Sequence, residues 1–112
     1  MNYWIWLPIF LLFAWMMWRR RGLSKEQLSA LMAKGAQVVD VRSASEFRGG
    51  HVPGSKNIPL EQLQTRIKEL DPARPVLLCC ASGTRSAMAV SLLKQKGFAD
   101  AHNAGPWTTI RS

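Results

Sequence analysis

The sequence predicts an α/β fold with a mostly parallel sheet, and three observations lead there. From Gly22 onward, short apolar runs alternate with stretches of helical periodicity, the order that βαβ units produce. The runs Gln37–Val41 and Pro75–Cys79 are apolar enough to be strands buried on both faces. The helical stretches carry start and stop signals: Ser24 with Gln27, Ser43 with Glu46, then Gly35 and Gly97.

Each element follows from its local pattern. Leu28, Leu31 and Met32 make the apolar stripe of a first helix, opened by the Ser24–Gln27 capping box and stopped at Gly35. Gln37–Val41 is the first strand of the domain. Ser43 and Glu46 open a short helical turn around Glu46–Arg48, and Gly49–Gly54 is loop. Asn57-Ile58 is at most a very short strand. Leu60, Leu63, Ile67 and Leu70 line one face of a predicted helix. The strand ending at Cys79, a tight loop from Cys80, and a helix over Ser86–Lys96 carrying Met88, Leu92 and Leu93 come next. Phe98–Asn103 leaves room for one last strand.

The first residues form a separate unit. Tyr3–Trp18 carries no charge and holds four of the five tryptophans, at its two ends, with Arg19, Arg20 and Arg21 directly behind. That is the aromatic-belt pattern of a transmembrane helix with a cytoplasmic arginine cluster. Sixteen helical residues rise about 24 Å, a little short of the roughly 30 Å hydrocarbon core, and snorkelling arginines or local thinning would cover the deficit. A cleaved secretory signal would carry its positive charge ahead of the apolar run and small residues behind it, the reverse of this chain. A buried core helix would not end on three arginines. The reading is therefore an anchor over residues 1–21 and a domain over residues 22–112. The positive-inside rule sets the N-terminus outside and the domain on the cytoplasmic side of the inner membrane.

The net charge is +8 over 112 residues, a length for one small domain. Fifteen basic residues less the three at 19–21 leave twelve against seven acidic. A basic surface suits anionic small molecules or an anionic membrane face. It does not point to nucleic acid, because the remaining Lys and Arg are scattered and not interleaved with aromatics. The two cysteines, Cys79 and Cys80, are neighbours, which excludes a disulfide framework and is not metal-ligand spacing. They read as reduced thiols, since a vicinal disulfide would be strained.

Cys80 opens the run Cys80-Ala81-Ser82-Gly83-Thr84-Arg85 between a strand end and a helix start. Helix N-terminus and loop amides favour thiolate over thiol at such a position. Gly83 lets the loop curl, Ser82 and Thr84 add hydroxyl donors, and Arg85 adds a full positive charge. An ordinary buried cysteine is the plain alternative for Cys80 alone. The combined run favours a nucleophile and leaves Cys79 as the strand cysteine, its side chain turned away. Asp40 and Arg42 lie at a strand end, either as a salt bridge supporting the loop or in contact with substrate. Glu46 reads as a cap and ion-pair partner, His51 as a structural loop residue with proton donation as its alternative, and His102 as a surface residue.

Asp40-Val41-Arg42, Glu46-Phe47, Gly50-His51-Val52-Pro53-Gly54-Ser55 and Asn57-Ile58-Pro59 resemble the first motif of the rhodanese-like domain. Cys80 to Ala87 resembles its active-site loop, and Lys96-Gly97-Phe98 with Asn103-Ala104-Gly105 its closing segment. The resemblance covers Leu23 to Trp107 and implies a small domain with a mostly parallel central sheet flanked by helices. It implies a sulfurtransferase in which Cys80 takes the outer sulfur of thiosulfate or a related donor as a persulfide. A thiol or cyanide-like acceptor then removes it. The loop residues Ala81 to Arg85 would bind substrate, with Asp40, Arg42 and Glu46 supporting. No metal or organic cofactor is implied, and a protein partner is compatible. A binding or redox-sensing module on the same fold is the second reading. Related phosphatases place five residues between cysteine and arginine; four stand here, a loop sized for sulfur. Ala81 occupies a position that is often basic in small rhodaneses, so a charge that could hold the sulfonate end of thiosulfate is missing. After Gly105 the sequence leaves space for about one helical turn, and Trp107 is placed to cover that edge.

Overall fold

A computed structural model describes residues 3–19 and 23–111. Arg20 and Arg21 of the expected arginine cluster, and the expected domain boundary at residues 21–22, lie outside the described residues. The domain is a four-stranded, wholly parallel sheet in the order β2-β1-β3-β4, with β1 Gln37–Asp40, β2 Lys56–Asn57, β3 Val76–Cys80 and β4 Ala101–Pro106. Every residue of β3, the central strand, is buried. Its side chains alternate between two cores, as a strand's period of two requires. Val76, Leu78 and Cys80 join Val39, Ile58, Ala89, Leu93 and Phe98 on one face. Leu77 and Cys79 join Leu31, Val38 and Ala104 on the other.

The helices cover both faces. α2, Lys25–Ala33, starts at the expected Ser24–Gln27 capping box, and α3, Ala44–Arg48, at the Ser43–Glu46 box. α4, Thr84–Gln95, follows β3 and packs Ala89 and Leu93 into the first core. α5, Trp107–Arg111, is the single turn expected after Gly105, and brings Trp107 and Ile110 to the second core. One element differs in kind. The apolar face of Leu60, Leu63, Ile67 and Leu70 is present, with Leu63 and Leu70 buried, but the segment is two 3-10 turns, Leu60–Gln62 and Ile67–Glu69. Apolar spacings of three and four residues suit either helix type. The continuous α-helix is interrupted between the turns: the Thr65 hydroxyl donates to the Gln62 carbonyl, and Arg66 sits at φ −109°, ψ 12°. The two ends are tied to β1 and the residue after it, by Leu60 N–H to the Val41 carbonyl and by a reciprocal pair of bonds between Gln37 and Asp71.

α1, Leu7–Arg19, has 13 residues, preceded by a 3-10 turn over Tyr3–Ile5. It rises about 20 Å. Among the described residues no helix is long and apolar enough to cross a membrane, so the expected transmembrane helix is not found. Every described side chain from Tyr3 to Met17 is exposed.

The burial pattern predicts that Leu63→Ala lowers stability to denaturant by about 2–5 kcal/mol, while Met88→Ala, 60% exposed, changes it by less than about 0.5 kcal/mol. Equal effects would contradict the placement of the two-turn segment in the core.

Candidate active site

All four strands point their carboxyl ends to one side, where parallel sheets place their sites. Cys80 is the last residue of β3, and the chain turns at once through Ala81–Gly83 into α4. Gly83 makes the turn. It is the N-cap of α4 in the left-handed region, φ 100°, and a side chain there would also press within 3.4 Å of the Gly105 backbone. The turn folds the loop over the Cys80 sulfur, which accepts from Gly83 N–H at 2.9 Å and lies 3.4 Å from Ser86 Oγ.

Two forces oppose each other at that sulfur. Burial pushes the thiol pKa up. The Ser86 hydroxyl and the backbone N–H groups of Ser86, Gly83 and Ser82 push it down, and they prevail. A 12-residue helix starting at the same point adds its dipole. Cys79, one residue earlier, faces the opposite core without such donors. Burial and the Asp40 carboxylate push it up to about 12. Cys80 itself has no exposed area, while Ala81, Ser82 and Thr84 of the loop after it are exposed.

The remaining candidate residues form two ion pairs around the loop. Arg85 donates Nη1 to Glu46 Oε1 at 2.7 Å and Nη2 to Oε2 at 3.0 Å, tying α3 to the first turn of α4. The Arg85 guanidinium, with Ser43 second, holds the Glu46 carboxyl down to about 2. Asp40 and Arg42 are buried and bound through three side-chain contacts of 2.7–3.0 Å. Arg42 also donates to the Gly50 carbonyl at 2.6 Å and lies 4.8 Å from the centre of the Trp107 ring. Trp107 in turn comes close to Gly50, where a Cβ would meet the ring at 3.2 Å. Asp40 and Arg42 therefore join the end of β1 to Gly50 and Trp107. Ser82 and Thr84 hydrogen-bond to each other at the rim, 3.3 Å apart. His51 stacks on Phe47 and bonds its carbonyl through Nδ1, and His102 pairs with Asp100. Among the described residues no cluster of His, Cys, Asp or Glu could hold a metal ion.

Two residues of the site were visible in the sequence only as letters of a motif. Ser86 is fully buried against the sulfur. Asn103 reaches it from β4, donating to the Gly83 carbonyl at 3.0 Å and accepting from Ser86 Oγ at 2.6 Å and Gly105 N–H at 2.8 Å. A break in the strand register accompanies this placement. Leu78 pairs with Asn103 but Cys79 with Gly105, so Ala104 is extra. No periodicity in the sequence signals that break.

The family model for the rhodanese-like domain matches residues 24–104. The chain is 40% identical over 83 residues to the uncharacterized protein YqhL of Bacillus subtilis, covering 74% of this chain and 65% of that one. It is 36% identical over 75 residues to the putative sulfur carrier protein YrkF of the same organism, spanning 63% of this chain but 40% of that protein. The thiosulfate sulfurtransferase GlpE of Shewanella oneidensis is 35% identical over 84 residues, 74% of this chain and 83% of the enzyme. Among solved structures, the human single-domain sulfurtransferase TSTD1 superposes with a TM-score of 0.65 at 30% identity, over 79% of this chain and 92% of that one.

Two outcomes follow from the geometry. Iodoacetamide at neutral pH should modify Cys80 and leave Cys79 intact by peptide mass spectrometry; modification of Cys79 first would contradict the assignment. Glu46→Gln should lower the denaturation midpoint above about pH 4.5, the unfolded carboxylate's range, because the folded carboxyl is the more acidic. The difference from the parent should shrink as pH falls toward 2, and a difference independent of pH would exclude the ion pair as its source.

Proposed function

The chain belongs to the rhodanese-like domain family, and from that premise we propose that it is a rhodanese-type sulfurtransferase tethered to a membrane by its N-terminal helix. The observation that carries the chemistry is the Cys80 sulfur, held by amide and hydroxyl donors that outweigh its burial. The Cys80 thiolate attacks the outer sulfur of a sulfane donor. A bond forms between Sγ and that sulfur, the donor's S–S bond breaks, and its remainder leaves with the electron pair, as sulfite from thiosulfate or as a thiolate from an organic persulfide. An acceptor, thiol or cyanide, then attacks the outer sulfur and Cys80 leaves as thiolate. The loop amides, which stabilise an anionic sulfur, support both half-reactions. The names of the GlpE and TSTD1 relatives support the same class of reaction.

The site favours a donor with little charge. Ala81 supplies no cation, and Arg85 already faces both oxygens of Glu46. One observation favours the second reading, a weakly catalytic binding module: the sulfur lies wholly beneath its loop. A redox pair with Cys79 is disfavoured because the two side chains enter opposite cores.

The tether rests on the exposed apolar surface. Trp4 and Trp6 before α1 and Phe10 and Phe13 within it are each more than 60% exposed, a run of large apolar surface that a bilayer would cover. With 13 helical residues it would enter a thinned bilayer or extend through the turn before it. The basic residues that follow set the domain on the cytoplasmic side, where free thiols persist.

The full-length protein in detergent should form thiocyanate from a sulfane donor and cyanide, and Cys80→Ser should abolish it. Thiocyanate formation by the serine variant, or none by the parent with any sulfane donor, would remove the catalytic reading. Alkaline carbonate should leave the full chain in the membrane fraction, and deletion of residues 3–18 should release it; release of the intact chain would remove the tether.

A further inference from the structure

The hydroxyl of Ser86 has one proton and three acceptors in reach: the Gly83 carbonyl at 3.1 Å, Asn103 Oδ1 at 2.6 Å and Cys80 Sγ at 3.4 Å. One proton serves one of them well. The Gly83 carbonyl already receives Asn103 Nδ2 at 3.0 Å, so the contest lies between Asn103 Oδ1 and the sulfur. A Cys80 thiol has a proton to donate to Ser86 Oγ, 3.4 Å away, which leaves the Ser86 hydroxyl free to donate to Asn103 Oδ1. A thiolate only accepts. Once the Cys80 proton has left to solvent, the Ser86 hydroxyl gains by turning to the sulfur, because hydrogen bonds to an ion are the stronger ones. Asn103 Oδ1 then keeps the Gly105 N–H at 2.8 Å, so the turn orphans no buried acceptor.

We propose that Asn103 is a positioning residue for Cys80, acting through Ser86: it holds the hydroxyl proton while Cys80 is protonated, yields it to the thiolate, and takes it back when the sulfur is bonded to a second sulfur. In the persulfide the inner sulfur is uncharged and the outer one carries the charge, so the hydroxyl returns to its 2.6 Å partner. Each half-reaction thus begins with the Ser86 proton on one acceptor and ends with it on the other. The proposal rests on the sulfurtransferase reading, but its test reads only the thiol–thiolate equilibrium, so either can fail without the other.

The test is the pH midpoint of iodoacetamide alkylation at Cys80 in the full-length protein. Ser86→Ala should raise the midpoint by about one unit, the size of a hydrogen bond to an ion. Asn103→Ala should lower it where Ser86 is present and leave it unmoved in the Ser86→Ala background. A raised midpoint, as from simple loosening of the loop, or an equal shift in both backgrounds would overturn the proposal. Asn103→Asp, close in shape, carries the test where the alanine variant does not fold. Its carboxylate should retain the proton and raise the midpoint more with Ser86 than without, and equal rises in the two backgrounds would overturn the proposal.

Discussion

A sulfur anion beneath a protein surface persists only where N–H and O–H groups replace the water it has lost, and the loop after β3 exists in a form that meets this requirement. Cys79 and Cys80 make the case within two residues. Both have no exposed area. One enters a core without donors and is pushed up to about 12; the other meets Gly83, Ser86 and Ser82 and falls below its ordinary value. The alternation of a strand decides which face each occupies, and the left-handed Gly83 decides that the donors converge on only one of them.

Side-chain links run along the rest of the carboxyl edge. Glu46 and Arg85 join α3 to the start of α4, and Asp40, Arg42 and the Gly50 carbonyl fasten the end of β1 under Trp107. The Asp40–Arg42 pair is buried, where an unpaired partner would be costly, so it acts as a rigid joint. Asn103 adds a fastening from β4. Of these links, the Glu46–Arg85 pair and Asn103 reach the loop and the first turn of α4 directly.

What the sequence conveyed and what it withheld have physical causes. The two capping boxes, the buried strands and the positions of Cys80 and Gly83 were readable because each depends on residues a few positions apart. The pairing of Glu46 with Arg85 joins residues far apart in the chain; the sequence named each but not their contact. Asn103 reaches the site through an irregularity in strand register, which leaves no periodic mark. From Leu60 to Leu70 the sequence predicts the inward face but not the two 3-10 turns, because apolar spacing reports the face and not the hydrogen-bond pattern. The uncharged N-terminal run predicts sixteen helical residues; the structure has a 13-residue α-helix after a 3-10 turn, with Pro8 in its first turn, where proline is tolerated.

The central claim is that one of two adjacent, equally buried cysteines carries sulfur because its loop alone stabilises the anion. Peptide-level mass spectrometry of the full-length protein after exposure to an organic persulfide and to thiosulfate tests it most directly. The account predicts one added sulfur atom on Cys80 and none on Cys79. Sulfur on Cys79, or a Cys79–Cys80 disulfide as the main product, would contradict it.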